Sequence, residues 1–166
     1  MNKKLALVIY KYFPYGGLQH DFLNVALELS KRDVDMTIYC RKWEGDIPSK
    51  LKVKELQISG YSNHKKDQNF YHQFVTEISN NKPRIIFGFN KMPDLDIYFA
   101  GDTCYRNSNA SKSFPFKLTP RYKHFNYFER AVFNREKSNL IFLLNEKQKN
   151  IFKHEYETQE SRLRII

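Results

Sequence analysis

The chain has 166 residues, a formal net charge of +10 and 16% aromatic residues. This length suits one domain with a sizeable core and excludes two domains of ordinary size, and the charge favours an anionic partner such as phosphate groups, a membrane surface or nucleic acid. Two cysteines without a CxxC pair, scattered histidines and no apolar run near the ~20 residues of a membrane span predict a cytosolic protein with reduced, buried thiols and no metal site.

Short apolar runs alternate with longer amphipathic segments along the chain. The runs predict strands, in chain order Leu5 to Ile9, Met36 to Cys40, Val53 to Ile58, Ile85 to Phe89, Ile97 to Ala100 and Leu140 to Leu144. Helical spacing of apolar residues predicts helices over Leu18 to Leu29, Phe70 to Ile78 and Lys147 to Tyr156. This alternation predicts an α/β fold with a Rossmann-like, doubly wound and mostly parallel sheet, in one domain over residues 1–166.

Two adjacent glycines, Gly16 and Gly17, stand between the first predicted strand and the first predicted helix. Open α/β sheets bind ligands at this point, and the N–H groups of a helix's first turn attract an anion. Glycine would allow a positive backbone φ angle and a close approach of the ligand. The pair therefore predicts a phosphate site, and a tight turn without a ligand remains an equal alternative. The pattern is not the GxGxxG fingerprint of dinucleotide folds.

Asp21 follows Gly17 by one helical turn, so its carboxylate is expected to face the crevice beside the glycines. A carboxylate there suits the hydroxyl of an acceptor better than a phosphate, which it would repel. The alternative is a charge in the first turn that complements the helix dipole.

Four longer segments carry a family resemblance. They are YKYFPYGGLQHDF, the WEGD at Trp43 to Asp46, the GFNKMPDLDIYFAGD from Gly88 to Asp102 and the LTPRYKHFNYFERAVF from Leu118 to Phe133. Together they resemble the lipopolysaccharide core glucosyltransferases, which are GT-B glycosyltransferases of family 4. The resemblance implies that the chain is the acceptor-side, N-terminal Rossmann-like domain of a hexosyltransferase. It also implies that the C-terminal donor-binding domain is absent, that the chain is inactive alone, and that a separately encoded donor domain is a candidate partner.

The resemblance implies roles for individual residues. Gly16 and Gly17 would form the donor diphosphate loop, and Asp21 would be the catalytic residue that orients a reacting sugar. His20, where the family has Arg, is assigned to the acceptor cleft with a phosphate contact left open. The remaining cleft candidates, which follow predicted strands and could otherwise be ordinary polar loop residues, are Asn90, Lys91 and Asp102.

The implied reaction is a retaining transfer of glucose from UDP-glucose to an inner-core heptose of lipopolysaccharide. The donor phosphate would lie near the attacking hydroxyl, and the protein would supply positioning and electrostatic stabilisation. No cofactor and no divalent metal are expected.

Basic and aromatic residues are interleaved between Tyr105 and Lys137. This pattern favours a membrane interface, for which the expected residues are Lys112, Phe114, Phe116, Lys117, Arg121 and Lys123. The resemblance implies the same, with the protein peripheral on the cytoplasmic face of an anionic inner membrane. Tyr122, Phe125, Phe128 and Val132 lie at helical spacing, so part of the stripe could instead belong to the core. A basic face that only contacts solvent is the other alternative for this segment.

Two other function classes stay open. One is a non-catalytic remnant that keeps the acceptor and membrane surfaces. The other is a basic nucleotide- or nucleic-acid-binding module, because aromatic side chains among cations also occur in proteins that bind single strands. A lipid-borne acceptor favours the membrane reading, and nucleic acid is the less expected partner.

Overall fold

The computed structural model describes residues 4–32, 34–79 and 83–166. The chain forms two compact units, Met1–Asn90 and Lys91–Ile166.

Over its described residues, the first unit contains parallel strands and two helices. The helices are α1 (Gly17–Ser30) and α2 (Asn63–Ser79). The strands are β1 (Lys4–Val8), β2 (Lys11–Tyr12), β3 (Asp35–Cys40), β4 (Lys42–Trp43), β5 (Val53–Glu55) and β6 (Ile85–Gly88). Strands β5, β3, β1 and β6 lie side by side in this order, and β2 pairs in parallel with β4.

Burial explains why these segments fold as they do. The last four residues of β1 are all buried, as expected for a central strand of a parallel sheet that is covered on both faces. On α1, Phe22 and Ala26 are fully buried at helical spacing. The ring of Phe22 packs edge-on against Phe89 with 5.1 Å between centroids. The first predicted strand and the first predicted helix are therefore confirmed.

Two boundaries differ from the sequence prediction by more than one residue. The third strand ends at Glu55 and not at Ile58, and α2 begins at Asn63, seven residues before the first apolar residue of its pattern. The first two turns of α2 are polar, so hydrophobic periodicity detects only the part that contains Phe70, Phe74 and Ile78.

The second unit also consists of parallel strands joined by helices. Its strands are β7 (Ile97–Ala100), β8 (Leu140–Leu143) and β9 (Leu163–Ile165), paired in this order. Its helices are α3 (Tyr105–Ser108), α4 (Phe114–Leu118), α5 (Pro120–Phe133) and α6 (Glu146–Tyr156), followed by a 3-10 turn at Glu160–Arg162. Parallel strands that alternate with helices in both units confirm the predicted α/β class.

The core of the second unit is aromatic. The rings of Phe133 and Phe152 stack with 3.6 Å between centroids, and Tyr98 packs edge-on against Phe133 at 5.7 Å. The buried guanidinium of Arg162 donates hydrogen bonds to the backbone oxygens of Val132, Asn134 and Asn139. These bonds fasten the end of α5 to the start of β9.

Candidate functional site

The glycine turn of the first unit presents a helix start. Helix α1 begins at Gly17, and its N-cap residue Gly16 has φ −95° and ψ 142°, which is extended backbone. The positive φ expected at these glycines is therefore wrong, since only Gly45 and Gly60 among the described glycines have it. The N–H of His20 donates to the carbonyl of Gly16 at 2.9 Å. Helix geometry thus leaves the N–H groups of Gly17, Leu18 and Gln19 without an acceptor inside the helix.

The surroundings of the two glycines differ in the space that they leave for a side chain. A Cβ atom on Gly16 would lie 1.9 Å from Oε1 of Gln19 and 2.9 Å from the ring of Phe13, so a side chain at this position would displace its neighbours. A Cβ atom on Gly17 would meet no atom within 4 Å. Gly16 serves close packing within the chain, whereas Gly17 leaves open space beside the helix start.

Asp21 lies on α1 beyond its first turn, which contains no acidic residue. The dipole-complementing role that was the alternative for Asp21 is therefore wrong. Its carboxylate is 48% exposed, and Oδ1 lies 3.8 Å from Nδ1 of His20, whose own side chain is 71% exposed. His20 Nδ1 also lies 3.2 Å from the side-chain nitrogen of Asn24. Both groups are accessible to a ligand from solvent.

The side chain of Asn90, the last residue of the first unit, forms a hydrogen bond with the backbone. Its Oδ1 accepts a hydrogen bond of 2.7 Å from the backbone N–H of Tyr10, which follows β1. The bond ties the carboxyl ends of β1 and β6 together, because Asn90 comes two residues after β6. Asn90 is therefore fixed at the strand ends that the sequence analysis assigned to a ligand.

Lys91 is a buried ion-pair partner in the second unit. Its Nζ lies 2.6 Å from Oε2 of Glu129 and 3.1 Å from Oδ2 of Asp102, and it donates a 2.7 Å hydrogen bond to the carbonyl of Thr103. The side chain is only 9% exposed. Burial opposes the charge on Lys91, but the two carboxylates outweigh it and raise the pKa of the ammonium group. The structure thus brings two predicted residues, Lys91 and Asp102, into direct contact.

Glu129 is the residue that the sequence analysis missed. It is fully buried, and it accepts hydrogen bonds from the backbone N–H groups of Tyr105 and Arg106 at 2.7 and 2.9 Å and from the hydroxyl of Tyr156 at 2.6 Å. Burial alone would raise its pKa, but Lys91 and these donors lower it below the usual value. One signal was present: Glu129 falls at helical spacing between the apolar residues Phe125 and Val132.

Asp102 is the more accessible of the acidic groups in this cluster. Its side chain is 57% exposed, and Oδ1 accepts a 2.6 Å hydrogen bond from the hydroxyl of Tyr98. The side-chain nitrogen of Gln148 donates to the backbone oxygens of Ala100 and Asp102, both at 2.8 Å. Asp102 and Gln148 line a cavity of about 290 Å³ beside the start of α6. A polar ligand could therefore reach Asp102 within this unit.

The cysteines and Trp43 are core residues. Cys40 and Cys104 are buried free thiols, as predicted. Burial raises the pKa of each to about 12, which rules against a nucleophilic role for Cys104. The indole of Trp43 stacks on Tyr12 with 3.9 Å between centroids, so Trp43 packs within the core.

The predicted membrane segment divides into an exposed and a buried part. Phe128 and Val132 are buried, so part of the aromatic stripe belongs to the core. Phe116 is half-buried against Tyr122, and Lys117 donates a 2.9 Å hydrogen bond to the carbonyl of Ala110. The exposed members of the predicted interface are Lys112, Phe114, Arg121 and Lys123. Phe114 is 73% exposed, and Leu118 and Tyr127 lie nearby in sequence at 50% and 60%.

None of the helices over residues 4–32, 34–79 and 83–166 combines the length and the apolar character that crossing a bilayer requires. A comparison with models of protein families found no match.

The chain is 37% identical over 163 residues to the lipopolysaccharide glucosyltransferase WaaG of Escherichia coli (strain K12), covering 98% of this chain and 44% of WaaG. A crystal structure of WaaG, described as a glycosyltransferase involved in lipopolysaccharide biosynthesis, superposes with a TM-score of 0.95 over the same shares of both chains. This chain is homologous to WaaG. The predicted resemblance to the lipopolysaccharide core glucosyltransferases and the predicted GT-B-type α/β fold are confirmed. The chain spans less than half the length of WaaG.

Proposed function

We propose that this chain is the acceptor-side, N-terminal domain of a retaining glycosyltransferase that moves glucose from UDP-glucose to an inner-core heptose of lipopolysaccharide. The observation that carries the proposal is the open helix start at Gly17, followed by the accessible carboxylate of Asp21, in a chain homologous to WaaG. A donor-side half, on the same or on a separate chain, would complete the site.

The first turn of α1 would stabilise the diphosphate of the donor. Three of its N–H groups have no acceptor in the helix, and a helix N-terminus carries about half a positive charge. The space beside Gly17 allows phosphate oxygens to come close to the backbone. As the bond between the anomeric carbon and the phosphate oxygen breaks, negative charge grows on the leaving UDP, and these donors offset it.

Asp21 would position the acceptor. A carboxylate accepts a hydrogen bond from the attacking sugar hydroxyl and holds its oxygen toward the anomeric carbon. The new carbon–oxygen bond forms on the face from which UDP leaves, and the hydroxyl proton passes to the departing phosphate oxygen. We assign no metal and no cofactor to this step.

Residues near the strand ends would have different roles. Asn90, already bonded to Tyr10 through Oδ1, would offer its amide N–H groups to sugar hydroxyls. Lys91 is a positioning residue, because its ammonium group is buried on Glu129 and holds Asp102. Asp102 is the member of that pair that a substrate would touch.

We also assign the exposed residues between Lys112 and Lys123 to the surface of an anionic membrane. Phe114 offers an apolar side chain that is 73% exposed, and three exposed cations lie within ten residues of it: Lys112, Arg121 and Lys123. Aromatic and basic groups together bind an interface that carries negative lipids. This placement would bring the domain to a lipid-borne acceptor on the cytoplasmic face.

The test uses a fusion of this chain with the part of WaaG that lies outside the matched region. The assay measures transfer of labelled glucose from UDP-glucose to a lipopolysaccharide core that has no glucose. We expect activity, and a loss of about a hundredfold or more for Asp21→Asn, because positioned catalytic contacts typically contribute this much. The matched control is Glu28→Gln, which alters an exposed carboxylate on the same helix. A fusion that folds, retains UDP-glucose binding and shows no difference between Asp21→Asn and Glu28→Gln would contradict the assignment.

A further inference from the structure

Four cationic side chains gather in the first unit around a cavity of about 380 Å³. They are Lys11, Arg41, Lys42 and Lys66, and Ile58 and Asn63 complete the lining. Lys11 follows β1 by three residues, and Arg41 comes directly after β3. The cavity therefore lies at the carboxyl ends of parallel strands, which is where open α/β sheets bind ligands.

The charges in this cavity do not balance. Glu44 forms ion pairs with Lys11 at 3.0 Å and with Lys42 at 2.8 Å, and Asp67 pairs with Arg41 at 2.5 Å. Four cations with two paired carboxylates, and with Glu55 acting on Lys42 at longer range, leave an excess of positive charge. The strand register places Lys11 directly opposite Lys42, and Glu44 pairs with both, so a single carboxylate offsets two like charges. A bound anion would supply further negative charge here.

Part of the cluster is fixed before any ligand binds. The guanidinium of Arg41 lies 4.8 Å from the ring centre of Tyr10, its side chain is only 20% exposed, and Asp67 on the other side is 7% exposed. Lys66 stands in the first turn of α2, a helix of 17 residues whose N-terminal end attracts negative charge. The excess of cations and the start of α2, whose first residue Asn63 also lines the cavity, thus favour an anion at one place.

We propose that this cavity binds a phosphate group carried by a sugar. Its volume falls in the range of roughly 300–1,000 Å³ for small-molecule sites, and a free phosphate alone would leave most of it empty. Beside the cations, the amide of Asn63 is a group that hydrogen-bonds sugar hydroxyls, and Ile58 offers an apolar surface to a sugar ring.

A hydrogen bond connects the lining of the cavity to the glycine turn. The side-chain nitrogen of Gln19, in the first turn of α1, donates a 3.2 Å hydrogen bond to the backbone oxygen of Lys11. A phosphorylated sugar of the acceptor held here would lie near the helix start to which the reaction is assigned. The identification of the ligand as part of the acceptor rests on the proposed function. The binding of a sugar phosphate does not, because binding requires no glycosyl transfer.

The experiment is calorimetric titration of the purified chain with glucose 6-phosphate, inorganic phosphate and glucose. We expect saturable binding of glucose 6-phosphate, weaker binding of phosphate and no measurable binding of glucose. The double variant Lys42→Gln/Lys66→Gln should weaken glucose 6-phosphate binding by at least about tenfold, since each lost charge-assisted hydrogen bond typically contributes that much. Both lysines are exposed, so the fold should persist, whereas loss of Arg41 would leave Asp67 buried without its partner.

The matched control is Lys50→Gln/Lys52→Gln, which removes two exposed lysines of the same unit that do not line the cavity. An equal loss of affinity in this control would mean that the net charge of the protein, and not the cavity, determines binding, and it would overturn the proposal. Absence of saturable binding at millimolar glucose 6-phosphate would also overturn it. Equal affinities for phosphate and glucose 6-phosphate would overturn the sugar assignment. None of these outcomes depends on whether the fusion with WaaG transfers glucose.

Discussion

The ammonium nitrogen of Lys91 lies 2.6 Å from a carboxylate oxygen of Glu129, and neither side chain is more than 9% exposed. A pair buried to this degree contributes little net stability by itself, but the loss of one partner leaves the other charge without compensation. The pair also fixes the geometry of Asp102, which contacts the same ammonium group.

Replacing Glu129 by Ala is therefore expected to lower the free energy of unfolding by about 3–5 kcal/mol, the range typical of a broken buried ion pair. Urea denaturation at neutral pH measures the change. The control is Glu136→Ala, which removes an exposed carboxylate soon after the end of α5 and should leave the denaturation midpoint unchanged. Equal midpoints for the two variants would mean that Asp102 alone compensates Lys91.

Stability should depend on pH through Asp67. Burial, opposed by the charge and hydrogen bond of Arg41, raises the pKa of Asp67 from 3.8 to about 6. A carboxyl group with a raised pKa in the folded state stabilises the fold below the unfolded pKa, and this contribution is lost as pH rises through the folded pKa. The free energy of unfolding of the chain relative to Asp67→Asn should thus fall between pH 4 and 6.5, by at most about 1.4 kcal/mol per pH unit. Urea denaturation of both proteins at several pH values gives this difference, and a rise with pH would mean that Arg41 outweighs burial.

Gly17→Ala is expected to separate stability from function. Its Cβ atom would meet nothing within 4 Å, and Gly17 does not have a positive φ. Alanine at such a position stabilises a protein by about 0.4–1 kcal/mol, because the unfolded chain loses conformational freedom. The added methyl group would occupy the space assigned to donor phosphate, so transfer by the fusion with WaaG should fall at least about tenfold. A melting scan tests the expected gain in stability, and the transfer assay tests the expected loss of activity. Unchanged transfer would contradict the assignment of the donor diphosphate to this turn.

Membrane binding should need both charge and an apolar side chain. Sedimentation with lipid vesicles should increase with the anionic lipid fraction and decrease with salt. We expect Lys112→Gln/Arg121→Gln/Lys123→Gln to weaken binding to anionic vesicles by at least about tenfold, and Phe114→Ser to have a smaller effect. The triple change Lys50→Gln/Lys52→Gln/Lys65→Gln removes as many exposed charges elsewhere and serves as control. Equal binding to neutral and anionic vesicles would argue against the assigned surface.

The two thiols should be unreactive in the folded chain. Both are buried with a pKa raised to about 12, so almost no thiolate forms near neutral pH. Ellman's reagent should label neither cysteine in buffer and both in concentrated guanidinium chloride. Fast labelling of one thiol in buffer, traced by Cys40→Ser and Cys104→Ser, would show that its surroundings open.

The strands of the fold were predictable because their apolar runs are local. Ile97–Ala100 forms a strand with the predicted bounds, and the first predicted strand is shifted by only one residue. The short β2–β4 pair was not predicted, since two-residue strands leave no periodic pattern. The polar start of α2 was missed for the same reason.

The candidate site was predictable only where its residues lie close together along the chain. Gly16, Gly17 and Asp21 follow each other along one turn and one helix, so their placement follows from spacing. The cluster around Glu129 joins Lys91, the turn at Tyr105 and Tyr156, which lie 24 to 38 residues away along the chain. Such contacts depend on tertiary packing, and a single sequence does not reveal them.

The two backbone hydrogen bonds to the Glu129 carboxylate should be visible in hydrogen exchange. The backbone amides of Tyr105 and Arg106 donate to this carboxylate from a segment whose surface is otherwise largely exposed. Their protons should exchange with solvent only when these two hydrogen bonds open, and therefore more slowly than the amides of the exposed residues around them. They would thus act as slow reporters inside a fast-exchanging segment. A membrane that binds the folded domain would leave these two amides protected, whereas one that draws α5 away from the core would release both together.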